Sequence, residues 1–328
     1  MKGWVRPATA ALALVLTGCA SLSDGGAAPA VARSVEASTE VSTEAAPTTT
    51  TRGTAVSTSP VAPATSAARS STPAPAKAGK VSDLVGRWAV HASGEPTTTR
   101  LVLDAHQGLS IFHACGVLSG NWRAAADGAF ITSMSGGSGT CFAGTASPFT
   151  ALPWLWKATT FRSSAGSVAL LDVHGRVLAR LTPGDLPKIT KDDSISLAEV
   201  LPLTAADRAR LDPVPVALPA GLVPATAAAL AGTWVPTDGT RGYVTMALTG
   251  SYRSDGCHGQ NGSWHVDLQG GLIVTAGPTT LVLCSGTQVP DKLASASAAG
   301  FEGPVLDLVD ASGHVSLKLH RGPAPATP

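Results

Sequence analysis

The stretch Asp255-Gly-Cys-His-Gly-Gln-Asn-Gly-Ser-Trp264 has an echo earlier in the chain, at Cys115-Gly-Val-Leu-Ser-Gly-Asn-Trp122. Both contain the pattern Cys-x-x-x-x-Gly-x-Trp, and each lies near the middle of a β-rich segment of about a hundred residues. A second cysteine follows each copy at a similar distance, Cys141 in the first and Cys284 in the second. The repeat predicts two related modules.

Further short motifs repeat on either side of these stretches. Leu84-Val-Gly-Arg-Trp88 corresponds to Leu230-Ala-Gly-Thr-Trp234, and Asp172-Val-His-Gly175 corresponds to Asp310-Ala-Ser-Gly313. Short apolar or alternating runs with Gly or Asp between them lie in both segments and are typical of strands. We therefore expect a mainly β (α+β) fold with two similar small antiparallel β-barrel-like modules, each with at most a short helix.

Alternation of apolar and polar residues predicts which strand residues face inward. An Ala/Ser-rich run from Asp291 to Ala299 predicts a short helix, and Thr204 followed by Asp207 predicts a capped helix between the modules. Two sets of side chains are each predicted to share one strand face: Val177, Ala179 and Leu181; Trp264, Val266 and Leu268. A third set, Val315, Leu317 and Leu319, is predicted to point inward.

The N-terminus indicates where the protein resides. Lys2 and Arg6 precede a short apolar run that ends in Leu16-Thr17-Gly18-Cys19. The run is shorter than the roughly 20 residues of a membrane span and has the length of a signal-peptide core. Leu-Thr-Gly-Cys resembles the lipobox of bacterial lipoproteins, and the alternative is an ordinary secretory signal. We expect an exported protein that is anchored to the bacterial cell membrane by lipid on Cys19 and faces the extracytoplasmic side.

Composition divides the chain further. The residues after Cys19 are mostly Ala, Ser, Thr and Pro, which offer too little apolar surface to offset the entropy of ordering. Charged residues make up 14% of the chain and the formal net charge is +1, so no basic patch favours a nucleic acid partner. The predicted segments are a signal peptide at 1–18, a disordered tether at 19–80, a first module at 81–181, a Pro-rich connector at 182–226, a second module at 227–322 and a disordered tail at 323–328.

The motifs resemble the META domain of HslJ-like bacterial envelope lipoproteins. The resemblance rests on Leu-x-Gly-x-Trp, on a Gly-Cys core followed by Gly-x-Trp, on a second cysteine and on the late Asp-x-x-Gly turn. Both modules carry it, although Gly116 and His258 stand where the family usually has asparagine. The resemblance implies a small antiparallel β fold with a helix and an association with envelope stress and hydrophobic-drug tolerance. It implies no catalytic residues.

Five cysteines divide into the lipidated Cys19 and two pairs, Cys115 with Cys141 and Cys257 with Cys284. In an exported chain, four remaining cysteines that form two pairs with none left over favour disulfides over reactive thiols. The alternative is a metal site, because His113 and His258 lie beside cysteines in the sequence. No Cys-x-x-Cys or His-x-x-x-His spacing supports that alternative, so we expect neither a metal nor another cofactor.

Tryptophans supply the remaining candidates. Trp88, Trp122, Trp234 and Trp264 occur at matching places, which favours a role in the cores. Trp154 and Trp156 lie on a Pro-rich insert with no apparent counterpart, and two interpretations are open: an exposed aromatic edge that binds a partner, or an insert folded back onto the first module. His265 and Asp267 share a predicted strand face, and we expect solvated residues there rather than an acid/base pair.

The sequence therefore predicts a non-enzymatic envelope lipoprotein that binds an envelope protein or glycan or supports envelope stress tolerance. The alternative is a protein that binds a small apolar ligand within or between the modules. A hydrolase is a third class, but no nucleophile elbow, zinc-protease motif or phosphate loop supports it.

Overall fold

The computed structural model describes residues 79–114, 116–142, 152–186, 202–239, 242–255, 259–279 and 288–323. Within these ranges the chain is mainly β, with 17 strands in two antiparallel sheets and a few short helices. The mainly β prediction is confirmed. No helix within the same ranges is long and apolar enough to cross a bilayer.

The first sheet is a half-barrel with its own hydrophobic core. Its strands lie in the order β5-β4-β3-β2-β1-β8-β7-β6. The edge strands β5 and β6 meet at an isolated bridge between Ala129 and Thr160. The strands are β1 Gly86–Ala92, β2 Arg100–Leu103, β3 Gly108–His113, β4 Gly116–Ala124, β5 Phe130–Gly137, β6 Thr160–Ser164, β7 Ser167–Leu171 and β8 Val177–Pro183.

The second sheet has a separate core and repeats this strand order as β14-β13-β12-β11-β10-β17-β16-β15, with β9 added outside β15. The strands β14 and β15 also meet at an isolated bridge, between Gly271 and Ala298. The strands are β9 Val223–Pro224, β10 Gly232–Pro236, β11 Tyr243–Met246, β12 Ser251–Asp255, β13 Gln260–Val266, β14 Leu272–Thr279, β15 Ala298–Glu302, β16 Val305–Val309 and β17 Val315–Arg321.

Four short α-helices connect or flank these strands in the described ranges: α1 Pro153–Trp156, α2 Ala205–Leu211, α3 Ala227–Leu230 and α4 Val289–Ser295. The capped helix is confirmed as α2, because Thr204 Oγ1 accepts from the Asp207 N–H at 3.1 Å and Asp207 Oδ2 accepts from the Thr204 N–H at 3.0 Å. The helix expected from Asp291 is confirmed in part as α4. It ends at Ser295, and the residues from Ala298 onward form β15 instead.

The Gly-x-Trp motif has a direct steric explanation. A Cβ on Gly120 would collide with the carbonyl oxygen of Ser133, and a Cβ on Gly262 would collide with that of Thr275. In each case the carbonyl belongs to the next strand of the sheet. The tryptophan two residues later, Trp122 or Trp264, lies on the same face of the strand as the glycine and is buried. The other two paired tryptophans, Trp88 and Trp234, are also buried, so the prediction of four core tryptophans is confirmed.

Val177, Leu268 and Val315 are exposed, unlike the buried residues predicted to share their strand faces, so the predictions for these three are wrong. Val177 and Val315 are 44% and 37% exposed, because a bulge directly after each of them, before Ala179 and Leu317, shifts the alternation of the strand by one residue. Leu268 is 88% exposed because β13 ends at Val266 and the chain turns there. The Asp267 carboxylate holds that turn by accepting the N–H groups of Gln269 and Gly271, both at 2.8 Å.

The two sheets contact each other through a seam, which we define as the contacts of β4 and β5 with β13 and β14. Asn121 Nδ2 and Ser133 Oγ donate to the carbonyl oxygen of Ala276 at 2.9 and 2.8 Å. In the other direction, Ser263 Oγ donates to the carbonyl oxygen of Thr132 at 2.8 Å. The seam thus contains polar hydrogen bonds between corresponding strands of the two sheets.

An ion pair at the seam corrects a further expectation. His265 Nε2 lies 2.8 Å from Asp127 Oδ2 of the first sheet, with side chains 34% and 39% exposed. His265 is therefore not a solvated strand residue that shares a face with Asp267. Its hydrogen bond is the largest cause that lowers the pKa of Asp127 below the ordinary value.

Candidate functional site

The strongest candidate site surrounds α1, where the chain crosses from edge strand β5 to edge strand β6 of the half-barrel. Proline at the start of α1 suits a helix N-terminus, since its missing N–H is not needed there. Trp154 and Leu155 point into the first core, both with 3% of their surface exposed, whereas Trp156 is 55% exposed. The insert thus folds back onto the first sheet and also presents an aromatic ring outside. Trp154 does not lie on an exposed edge, so that part of the binding-surface prediction is wrong.

The insert has a counterpart in the second sheet, which sequence reasoning missed. After α1 the Ala158 N–H donates to the Leu155 carbonyl at 3.2 Å, and after α4 the Ala296 N–H donates to the Leu293 carbonyl at 3.2 Å. The next residues, Thr159 and Ser297, then both accept from the first residue of the neighbouring edge strand at 2.9 Å.

This alignment identifies the residues that replace the two tryptophans. The residue before the aligned leucine is Trp154 in the first sheet and the exposed Lys292 in the second, and the residue after it is Trp156 in the first and Ala294 in the second. The second sheet has the helix but neither aromatic ring. The signal that could have found the relation is the Leu-x-x-Ala spacing that both helices share.

The hydrogen bonds made by the indole N–H groups differ between the two cores. Trp88 Nε1 donates to the Leu84 carbonyl at 2.9 Å, and Trp234 Nε1 donates in the same way to the Leu230 carbonyl at 2.7 Å. These bonds explain the Leu-x-Gly-x-Trp motif, because the tryptophan closes back onto the leucine four residues earlier. Trp264 Nε1 donates to the Ser251 carbonyl at 3.0 Å.

Two indole N–H groups of the first core behave differently. Trp122 Nε1 and Trp154 Nε1 are buried and have no hydrogen-bond partner in the part of the chain that the structure describes. Trp122 corresponds to Trp264, because their main-chain N–H groups donate to the matched turn residues Gln107 and Gly250. A buried donor without an acceptor costs about 1–3 kcal/mol, so two of them are a substantial penalty for one small core.

The second core contains a satisfied polar cluster instead. The Tyr252 hydroxyl donates to Gln260 Oε1 at 3.0 Å, and Ser254 Oγ donates to the Gln260 carbonyl at 3.2 Å. Burial, with a smaller effect from the Asp291 charge, raises the pKa of Tyr252 well above its ordinary value. The tyrosine therefore stays protonated and acts as a donor inside the core rather than as a base.

The predicted metal alternative finds no support in the described ranges, which contain no cluster of three possible ligands. His113 Nε2 lies 3.7 Å from Glu95 Oε2, a carboxylate that also accepts from Thr99 Oγ1 at 3.1 Å. The remaining site predictions lie outside the described residues: the lipidated Cys19, the cysteines Cys115, Cys257 and Cys284, and His258; Cys141 lies in the turn Gly139–Phe142, but its side chain is not described.

Comparison with known proteins adds no relative. No family model, no curated protein and no solved structure matches the chain.

Proposed function

We propose that the chain is an exported lipoprotein, anchored through Cys19, that consists of two tandem META-like modules and works by binding another component of the cell envelope. The shared strand order, the paired indole-to-leucine hydrogen bonds and the matching helices α1 and α4 support a duplication. The lipobox-like Leu16-Thr17-Gly18-Cys19 supports the anchor.

The observation that carries the binding proposal is the position of Trp156. Trp156 is 55% exposed, beside the exposed Lys157, on a helix whose counterpart α4 has Ala294 instead. Tryptophan is enriched at the energetic centres of interfaces, because one ring contributes a large contact area at a small entropy cost. Trp154 of the same helix packs in the first core, so the helix lies against the sheet with Trp156 on its outer side.

The test is photo-cross-linking in the source organism with the full chain. A photoreactive phenylalanine analogue replaces Trp156 in one variant and Leu268, which is 88% exposed on the second sheet, in the control. We expect one defined envelope protein or glycan to be linked at position 156 and not at 268. Equal or absent linking at both positions would overturn the role of Trp156. A Cys19→Ala variant that stays in the membrane fraction would overturn the anchor.

A second candidate function is binding of a small apolar ligand by the first module. The observation that favours it is the pair of unpartnered buried donors, Trp122 Nε1 and Trp154 Nε1, in the part of the core that the structure describes. Native mass spectrometry of the exported protein, compared with its mass after denaturation, tests this candidate. A bound molecule that is lost on denaturation is the expected result.

A further inference from the structure

We propose that the first half-barrel binds an uncharged, mainly apolar molecule with a carbonyl-type acceptor, held by the indole N–H groups of Trp122 and Trp154, and that α1 moves to admit it. This inference rests on the second candidate function and names its ligand class, its anchoring residues and its moving element. It is independent of the surface contact by Trp156.

The donors indicate that the ligand carries an acceptor. Trp122 and Trp154 belong to one continuous hydrophobic cluster, in which the two residues are 0% and 3% exposed. Native proteins rarely leave two buried donors unpaired in one core, and acceptor atoms of a bound molecule would remove this penalty. The corresponding Trp264 already has an acceptor in its own sheet, so the second core offers no such indole donor.

The surroundings indicate that the acceptor is uncharged. No lysine or arginine belongs to the fully buried residues of the described ranges. Asp172, a buried charged residue of the first sheet, is already used, since its carboxylate accepts from the N–H groups of His174 and Arg176 and from the Arg176 side chain. A carboxylate ligand would therefore be buried without a counter-charge, which is costly. A ketone, ester or amide oxygen avoids that cost.

The body of the ligand is expected to be apolar and flat enough to pack among rings. Phe130 and Phe161 lie in the same cluster as the two tryptophans, together with Met134. Aromatic rings bind planar apolar groups by stacking or edge contacts, and methionine adapts its shape to what lies beside it. The core residues thus favour an aromatic or fused-ring molecule.

The fold indicates how such a molecule enters. The edge strands β5 and β6 of the half-barrel meet at the bridge between Ala129 and Thr160, and α1 lies on the chain segment that joins these two strands. A helix of four residues is far shorter than the about 12 residues that helices need for stability on their own, so α1 depends on the packing of Trp154 and Leu155. Local opening of such an element costs less than unfolding of the sheet. In the second sheet α4 has seven residues, which favours a more firmly held helix.

A matched pair of probes tests the proposal on the full folded chain: 2-acetylnaphthalene, which has a carbonyl acceptor, and 2-ethylnaphthalene, which does not. Calorimetric titration is expected to show binding of the acetyl compound about fivefold tighter, because one hydrogen bond contributes about 1 kcal/mol. Trp122→Phe and Trp154→Phe should each reduce this preference. Trp264→Phe is the control and should retain it.

A second measurement does not depend on the variants' stability. In the wild-type chain with 15N-labelled tryptophan, the indole N–H resonances of Trp122 and Trp154 should move downfield with the acetyl compound and not with the ethyl compound. No binding of either probe, equal binding of both, or a resonance change confined to other tryptophans would overturn the proposal. These outcomes leave the cross-linking test at Trp156 unaffected, so the two functions fail separately.

Discussion

The two cores share a strand framework but differ in what they enclose. Leu109, which pairs with Gly120, corresponds to Tyr252, which pairs with Gly262. The next inward pair in the first sheet is Ile111 with Leu118, and in the second sheet it is Ser254 with Gln260. One end of the interior is thus hydrocarbon in the first sheet and a hydrogen-bonded polar cluster in the second.

The indole groups show the reverse difference. The second core satisfies its indoles, whereas the first core leaves Trp122 Nε1 and Trp154 Nε1 unpaired within the described residues. The glycines and the leucine-to-tryptophan bonds thus determine the framework, while the residues between them determine the chemistry of each interior. Polar groups in the second core stabilise that core itself. The unpaired donors of the first core destabilise it unless a further acceptor is present.

The first prediction has the largest expected effect and tests whether the glycine of the Gly-x-Trp motif has the same steric role in both sheets. Gly120→Ala and Gly262→Ala should each reduce the free energy of unfolding by about 3 kcal/mol, because the added methyl group collides with a main-chain carbonyl that the sheet holds in place. Urea unfolding of the full chain, followed by tryptophan fluorescence, measures both. Gly136→Ala and Gly259→Ala are the matched controls, because nothing lies within 4 Å of the added methyl group at either position. A tolerated Gly262→Ala would break the equivalence of the two motifs.

The second prediction concerns the indole donors. Trp264→Phe should destabilise the chain by about 1 kcal/mol more than Trp122→Phe, because both remove a similar volume from a buried position but only Trp264 loses a hydrogen bond. The same urea titrations measure the difference. If Trp122→Phe lowered the free energy of unfolding more than Trp264→Phe, the unpaired Trp122 donor would not destabilise the first core, and the proposed difference between the two cores would be wrong.

Much of the framework could be predicted from the sequence, because it depends on local patterns. The repeated Leu-x-Gly-x-Trp predicted that Trp88 and Trp234 are core residues, and Thr204 with Asp207 predicted α2. Alternation failed at Val177 and Val315, where a bulge inserts one residue. A bulge changes the side-chain period without a distinct composition, so the pattern does not reveal it.

The candidate site could be predicted only in part, because it depends on contacts between distant residues. The unusual composition of the insert drew attention to Trp154 and Trp156, but not to their opposite orientations. Nothing in the sequence pairs His265 with Asp127, since the ion pair forms only when the two sheets pack. The unpaired state of the Trp122 donor likewise follows from ring orientation rather than from residue type.

The third prediction concerns one position in a turn that the two sheets share. Gln107 has φ of +68° where the corresponding Gly250 has φ of +82°. Gly250→Gln should cost about 1 kcal/mol, because a side chain is strained in this conformation. Gln107→Gly should stabilise by about 0.5 kcal/mol, since relief of strain exceeds the added entropy of glycine in the unfolded chain. Thermal unfolding measures both, and a destabilised Gln107→Gly would show that the two turns are not equivalent.

The fourth prediction has the smallest expected effect and tests whether Asp127 and His265 couple the two sheets energetically. A double-mutant cycle with Asp127→Asn and His265→Gln should give a coupling free energy of about 0.5 kcal/mol near neutral pH, because both side chains are more than a third exposed and water screens the pair. The amide oxygen that Asp127→Asn introduces would still accept the Ala129 N–H, which the aspartate accepts at 3.0 Å, so the turn itself is kept.

The pKa of Asp127 is lower in the folded chain than in the unfolded chain, so its stabilising contribution is complete above the unfolded pKa of about 3.9 and disappears as the pH falls through the folded pKa. Urea unfolding at about pH 6 and at about pH 2 measures this change. A coupling energy that stays constant across this range would mean that the seam is held by its neutral hydrogen bonds, from Asn121, Ser133 and Ser263, and not by the ion pair.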